Sequence, residues 1–171
     1  IVREVIEKGD VAAVLLYDPL RDEVVMIEQF RIGARDDERG PWLLEIVAGL
    51  IEAGETPAQV ARREALEEAG CTVLDLLPIS SFYTSPAKTS QRTHLFLGRI
   101  DSANAGGIHG LADEGEDIRV VRLPATEALL LAEQGKTDSA WPLLALFWFA
   151  GQRETVRARW SGAADQPATP A

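Results

Sequence analysis

Hydrophobic positions along the chain fall first into strand-like and then into helical periods. Val11–Tyr17 and Glu23–Phe30 are β-rich runs joined by Asp18-Pro19-Leu20-Arg21-Asp22, whose composition predicts a hairpin turn. Residues 1–8 (IVREVIEK) alternate loosely and predict another strand. A polar loop at 31–41 (RIGARDDERGP) leads into a strand at Trp42–Val47. The period then becomes helical within residues 49–71, GLIEAGETPAQVARREALEEAGC. Thr56 is placed as N-cap, Pro57 suits the first helical position, and Gln59 completes a T-x-x-Q capping box. Gly70 stands where a left-handed stop is wanted. Ala61, Ala65, Leu66 and Ala69 line the side expected to dock on a sheet.

Further along, 72–84 and 92–100 read as strands separated by a loop at Thr84–Ser90. Residues 101–117 (DSANAGGIHGLADEGED) read as a long loop, a length that in a compact domain is functional or disordered. A short strand is expected at Ile118–Leu123, then helices at Pro124–Gln134 and Ser139–Trp160. In the second helix Leu143, Leu144, Leu146, Phe147 and Phe149 mark a buried segment. Residues 161–171 (SGAADQPATPA) cannot bury much surface and are expected to form a disordered tail. Strands, a helix, strands and two helices predict an α+β domain over 1–160, layered α/β/α around a mixed sheet. Because Ile1 opens inside a strand-like segment, the true N-terminus is expected to lie upstream.

Composition narrows the function classes. The chain has 171 residues, 46% of them hydrophobic and 26% charged, as an ordinary soluble domain does. Its formal net charge of −10 argues against nucleic acid as the main partner. A small phosphate ligand stays open, since a bound divalent cation reverses the local field. One cysteine forms no internal disulfide; Cys71 reads as packing, and the cytoplasm is the default compartment. The longest apolar run, Leu143–Ala150, is far short of the ~20 residues needed to span a membrane.

Glu64, Glu67 and Glu68 share one helix face. Alone, they read as a solvated acidic surface; the sharper reading is a site for a hard cation, since Mg2+ takes oxygen ligands. Their surroundings separate the two. Gly49, Glu55, Arg63-Glu64, Glu67-Glu68 and Gly70 stand at spacings that resemble the Nudix hydrolase signature, G-x5-E-x7-R-E-U-x-E-E-x-G-U, with Ala65 and Cys71 at the aliphatic positions. The resemblance implies a Nudix fold, a loop–helix–loop signature, and Mg2+-dependent hydrolysis of a nucleoside diphosphate linked to another group, with Mn2+ as a substitute ion. It further implies Glu64 and Glu68 as metal ligands with Glu67 beside them, and the Ala48 carbonyl completing the shell. Arg63 would orient the glutamates, Glu55 would brace the turn, and Gly49 and Leu50 would lie against substrate.

Outside the signature, IEQFRIGAR at 27–35, PWLLEIVAGLIEAGE at 41–55, SP-x-x-TS at 85–90 and GLADEGEDI at 110–118 resemble bacterial ADP-ribose pyrophosphatases. That resemblance implies cleavage of ADP-ribose to AMP and ribose 5-phosphate. Glu114 would act as general base on a mobile loop, and Glu116 as a further metal ligand. Arg31 would meet phosphate or ribose, although the residues alone equally allow a solvent-facing arginine. Arg3 would reach the adenine site of a neighbouring subunit in a homodimer, and Ser85 the terminal ribose. Gln91 stands where relatives commonly carry Glu, which puts any charged role there in doubt. The alternatives are another nucleotide sugar, such as GDP-mannose, and a non-catalytic ADP-ribose sensor; the intact signature speaks against the sensor. His94 and His109 have no partner at zinc spacing. Trp141, Phe147, Trp148 and Phe149 recur at helical spacing and suit a core or dimer surface better than a base-stacking platform.

Overall fold

The computed structural model describes residues 1–111 and 115–162. Strands β1 (Val11–Asp18) and β2 (Glu23–Phe30) leave the predicted turn as an antiparallel pair. Asp18 fixes the turn by accepting the backbone N–H of Leu20 and Arg21 at 2.9 and 3.1 Å. After Leu16↔Val25 the two strands separate. The fork is filled by β3 (Trp42–Glu45), which pairs with β2, and β4 (Val47–Leu50), which pairs with β1. One continuous segment thus changes partner across Ile46. The single strand expected at Trp42–Val47 is corrected to these two, because each arm of the fork offers its own ladder.

Among the described residues the sheet has eight strands, completed by β5 (Asp75–Tyr83), β6 (Arg92–Arg99), β7 (Gly107–His109) and β8 (Ile118–Pro124). Its order is β5-β6-β1-β2-β8-β7, and β6 runs parallel to β1, so the sheet is mixed. Helix α1 (Pro57–Ala69) covers one face; α2 (Ala125–Glu133) and α3 (Ala140–Ser161) cover the other. β1 is buried along its whole length, with alternate residues serving two cores. Ala12, Val14 and Leu16 meet Val60, Ala61, Ala65 and Ala69 of α1. Ala13, Leu15 and Tyr17 meet Leu146, Phe149 and Trp160 of α3. Fully burying one large apolar side chain contributes roughly 1.5–3 kcal/mol, so both layers are held through this strand. The α/β/α arrangement and mixed sheet are those expected.

Three further expectations need correction. Residues 1–8 do not form a strand: among the described residues they find no ladder apart from an Ile6↔Thr89 bridge, and Ile1, Val2, Val5 and Ile6 are exposed. The long loop at 101–117 contains β7, which pairs with β8. Leu66, expected on the docking side of α1, is 58% exposed, because the sheet meets only the narrow stripe of Val60, Ala61, Ala65 and Ala69. Cys71 is buried as packing. Among the described residues no helix is long and apolar enough to cross a membrane.

Candidate active site

Local chemistry builds α1 as the sequence predicts. Thr56 Oγ1 accepts the Gln59 N–H at 3.3 Å, Gln59 Oε1 accepts the Thr56 N–H at 2.8 Å, and Gly70 ends the helix at φ 62°. Ala61, Ala65 and Ala69 let the helix axis lie close to the sheet. That approach sets Glu64 and Glu68 directly against β4. The Ala48 N–H donates to a Glu68 carboxylate oxygen at 3.0 Å. A Cβ at Gly49 would stand 1.7 Å from Glu64 Oε1, so the glycine is demanded by the carboxylate passing over it.

Arg63 ties the signature together. Its Nε donates to Glu55 at 3.0 Å, and its Nη1 donates to Glu64 at 2.8 Å and to Glu67 at 3.0 Å. Nη2 reaches the Leu50 carbonyl at 3.4 Å. The guanidinium holds Glu55 below the usual carboxylate range. Glu64 is pushed up, chiefly by burial, with Arg63 opposing and Glu67 and Glu116 adding repulsion. Glu68 is 3% exposed and pushed up to about 8. Burial is the main cause; the Ala48 N–H offsets only part of it, Glu64 and Glu116 push it further, and Arg31 pulls it back.

Glu64, Glu68 and Glu116 therefore crowd carboxyl groups whose ionisation is disfavoured by burial and mutual repulsion and only partly offset by Arg63 and Arg31. Among the described residues no three His, Cys, Asp or Glu side chains form a ready-made metal cage. Arg63 holds Glu64 and Glu67, and the Glu116 carboxylate accepts the Leu111 N–H at 3.0 Å. The donor set nonetheless fits a hard divalent ion. It is all oxygen, half-buried or deeper at Glu64 and Glu68, and its like-charge repulsion would be relieved by a cation. The acidic loop is anchored to α1, since the Gly110 N–H points at the Glu67 carbonyl at 3.4 Å. Glu114, the expected general base, lies outside the described residues.

Beside this cluster, Arg31 donates from Nε to Glu45 at 2.6 Å. The pair lines a cavity of about 380 Å³ with Thr84, Gln91, Ser139 and Trp141. Arg31 is thus not a free surface arginine. Gln91 faces the same space, whereas Ser85 sits beyond the cavity wall on an exposed turn, where its carbonyl accepts the Lys88 and Thr89 N–H groups. Leu50 is exposed beside Gly49 at the end of β4. Arg3 is exposed and, among the described residues, bonds only the neighbouring Val2 carbonyl, so one chain does not bring it to the cluster. His109 packs against Gly70 and bonds the Gly106 carbonyl, and His94 is held inside β6. Phe149 is core, Trp141 and Trp148 pack against it, and Phe147 is exposed. Sequence reasoning missed Glu45. Its one signal was a lone charge inside the apolar run WLLEIVAGL.

A short acidic helix locked over a glycine, on a forked mixed sheet between helical layers, defines a class. The chain belongs to the Nudix family, whose NUDIX domain matches residues 7–147. It is 48% identical over 159 residues to the ADP-ribose pyrophosphatase of Escherichia coli (strain K12), covering 93% of this chain and 76% of that one. Identity to the ADP-ribose pyrophosphatase of Haemophilus influenzae is 42% over 163 residues, covering 94% and 75%. The GDP-mannose pyrophosphatase of Cronobacter sakazakii is 37% identical over 145 residues, covering 84% and 75%.

Proposed function

We propose that this chain is a hydrolase acting on the pyrophosphate bond of ADP-ribose, releasing AMP and ribose 5-phosphate. The observation that carries the reading is the crowded carboxyl cluster on α1, only partly compensated by Arg63, beside the Arg31 cavity; it pairs a cation's ligands with a cationic hand for a diphosphate. The names of the relatives at 42–48% identity support ADP-ribose as the substrate. Glu64 and Glu68, with Glu67, Glu116 and the Ala48 carbonyl, would hold Mg2+ or, in its place, Mn2+. The bound ion supplies charge neutralisation and polarises the phosphoryl oxygens. Arg63 orients the carboxylates, Gly49 and Leu50 would lie against substrate at the end of β4, and Arg31 takes a phosphate or ribose oxygen. Water adds to one phosphorus, the bridging P–O bond breaks, and Glu114 takes the proton as general base. Ser85 and the partner subunit's Arg3 would meet the terminal ribose and the adenine.

A homodimer is part of this reading, supported by an apolar groove along Ile79, Phe82, Leu95, Leu144 and Trp148, with Phe147 exposed nearby. A cytoplasmic setting agrees with the single buried cysteine. The GDP-mannose relative favours a second reading, cleavage of that nucleotide sugar. A product assay with Mg2+ decides between them: AMP plus ribose 5-phosphate from ADP-ribose is expected to form fastest. Faster turnover of GDP-mannose would transfer the assignment, and no turnover of either would leave a binding module.

A further inference from the structure

Glu45 is a buried carboxylate that none of these roles uses. It lies in β3 opposite Ile27 and is 6% exposed. Burying an ionised carboxylate is costly unless it is paired, and its partner is Arg31. The contact uses the inner nitrogen, Nε, at 2.6 Å. Among the described residues the outer nitrogens Nη1 and Nη2 make no hydrogen bond, and the side chain borders the cavity shared with Gln91 and Trp141. Arg31 is also near enough to Glu68 for its charge to favour the ionised carboxylate. A cation on a flexible stem beside several carboxylates is drawn onto them. Something must hold Arg31 away if it is to serve another anion.

We propose that Glu45 is a positioning residue that grips Arg31 through Nε, keeps the guanidinium off the Glu64–Glu68 cluster, and presents its Nη1/Nη2 edge to two anionic oxygens of the substrate. The fork geometry of guanidinium suits such a two-point contact. Glu45 itself touches no substrate in this scheme. The inference rests on the reading in which Arg31 meets the diphosphate.

Steady-state kinetics on ADP-ribose with Mg2+ test it, using Arg31→Ala, Glu45→Gln and the double variant, with thermal melts for each. Arg31→Ala is expected to lower kcat/KM by about 10–100-fold, the range for one lost hydrogen-bonded charge contact. Glu45→Gln should raise KM about five- to tenfold while kcat stays within about twofold. On the Arg31→Ala background it should change KM no further and should raise Tm, because it removes a stranded buried charge. An unchanged KM in Glu45→Gln, or the same shift on both backgrounds, overturns the proposal. If Arg31→Ala itself loses nothing, the diphosphate reading of Arg31 fails and takes the inference with it. Loss in Arg31→Ala without loss in Glu45→Gln sinks the inference alone. Should Glu45→Gln not fold, Glu45→Asp keeps the charge but shortens the reach; a KM equal to wild type then counts against it.

Discussion

Asp18 and Glu68 are almost equally hidden from water, at 1% and 3% exposure, yet they ionise at opposite ends of the scale. Burial works to raise both. At Asp18 it is outweighed by the Ser102 amide and hydroxyl and by the Arg21 guanidinium and amide, which hold the carboxyl down at about 2. Glu68 has one amide donor, from Ala48, and two carboxylate neighbours, and it rises to about 8. The burial penalty is heavier at Glu68, and only Asp18 has enough donors to outweigh its own. Asp18 is a finished joint between the hairpin and the Ser102 turn. Glu68 keeps an unmet demand for positive charge, and that demand makes it a candidate for chemistry rather than architecture.

Three substitutions would break or sharpen this contrast. Glu68→Gln should cost the most activity, at least about a hundredfold in kcat with ADP-ribose, equivalent to about 3 kcal/mol of transition-state stabilisation. Urea unfolding of the metal-free protein should show an unchanged or raised midpoint, since Gln is close in shape to the protonated acid and removes the cost of ionising it in place. A lowered midpoint would make Glu68 another structural joint. Asp18→Asn should do the reverse, lowering stability by about 2–3 kcal/mol in urea while activity per folded molecule stays within about twofold. Its acid dependence has a definite sign. The folded carboxyl, at about 2, lies below the unfolded value of roughly 3.9, so its contribution is complete above that pH and lost as pH falls toward 2. The stability gap between wild type and Asp18→Asn should therefore close between about pH 4 and pH 2. Gly49→Ala should have the smallest effect, lowering kcat/KM about tenfold as Glu64 is displaced, with stability changed by less than about 1 kcal/mol. The nearest obstructing atoms all belong to the Glu64 side chain rather than to backbone, so the fold gives way where the site cannot.

α1 was legible because its signals are local: cap, capping box, glycine stop and alanine stripe all lie within its own sequence. The layered class followed from the order of periods. The fork was not legible, since strand partners are set by contacts far apart in sequence, and Trp42–Leu50 reads as one apolar run although it serves two ladders. Residues 1–8 alternate like a strand but, among the described residues, pair only through the Ile6↔Thr89 bridge. At the site, the spacing of Glu64, Glu67 and Glu68 announced a shared face, yet no spacing distinguishes the deeply buried Glu68 from its more open neighbours. That difference arises only when β4 lies underneath. Glu45 was hidden for a related reason: Arg31 stands across the sheet from it, fourteen residues away in sequence.

The change of partner at Ile46 carries a mechanical consequence. Four pairings with β2 fix the segment upstream of it, and four with β1 fix the segment downstream. Neither half can slip without forcing the other out of register and turning its side chains to the wrong side. The step from Glu45 to Gly49 therefore behaves as a rigid gauge, clamped at both jaws, that sets how far the anion-gripping arginine stands from the carboxylates. Loops elsewhere can lengthen freely over evolutionary time; a one-residue indel here would recalibrate the instrument.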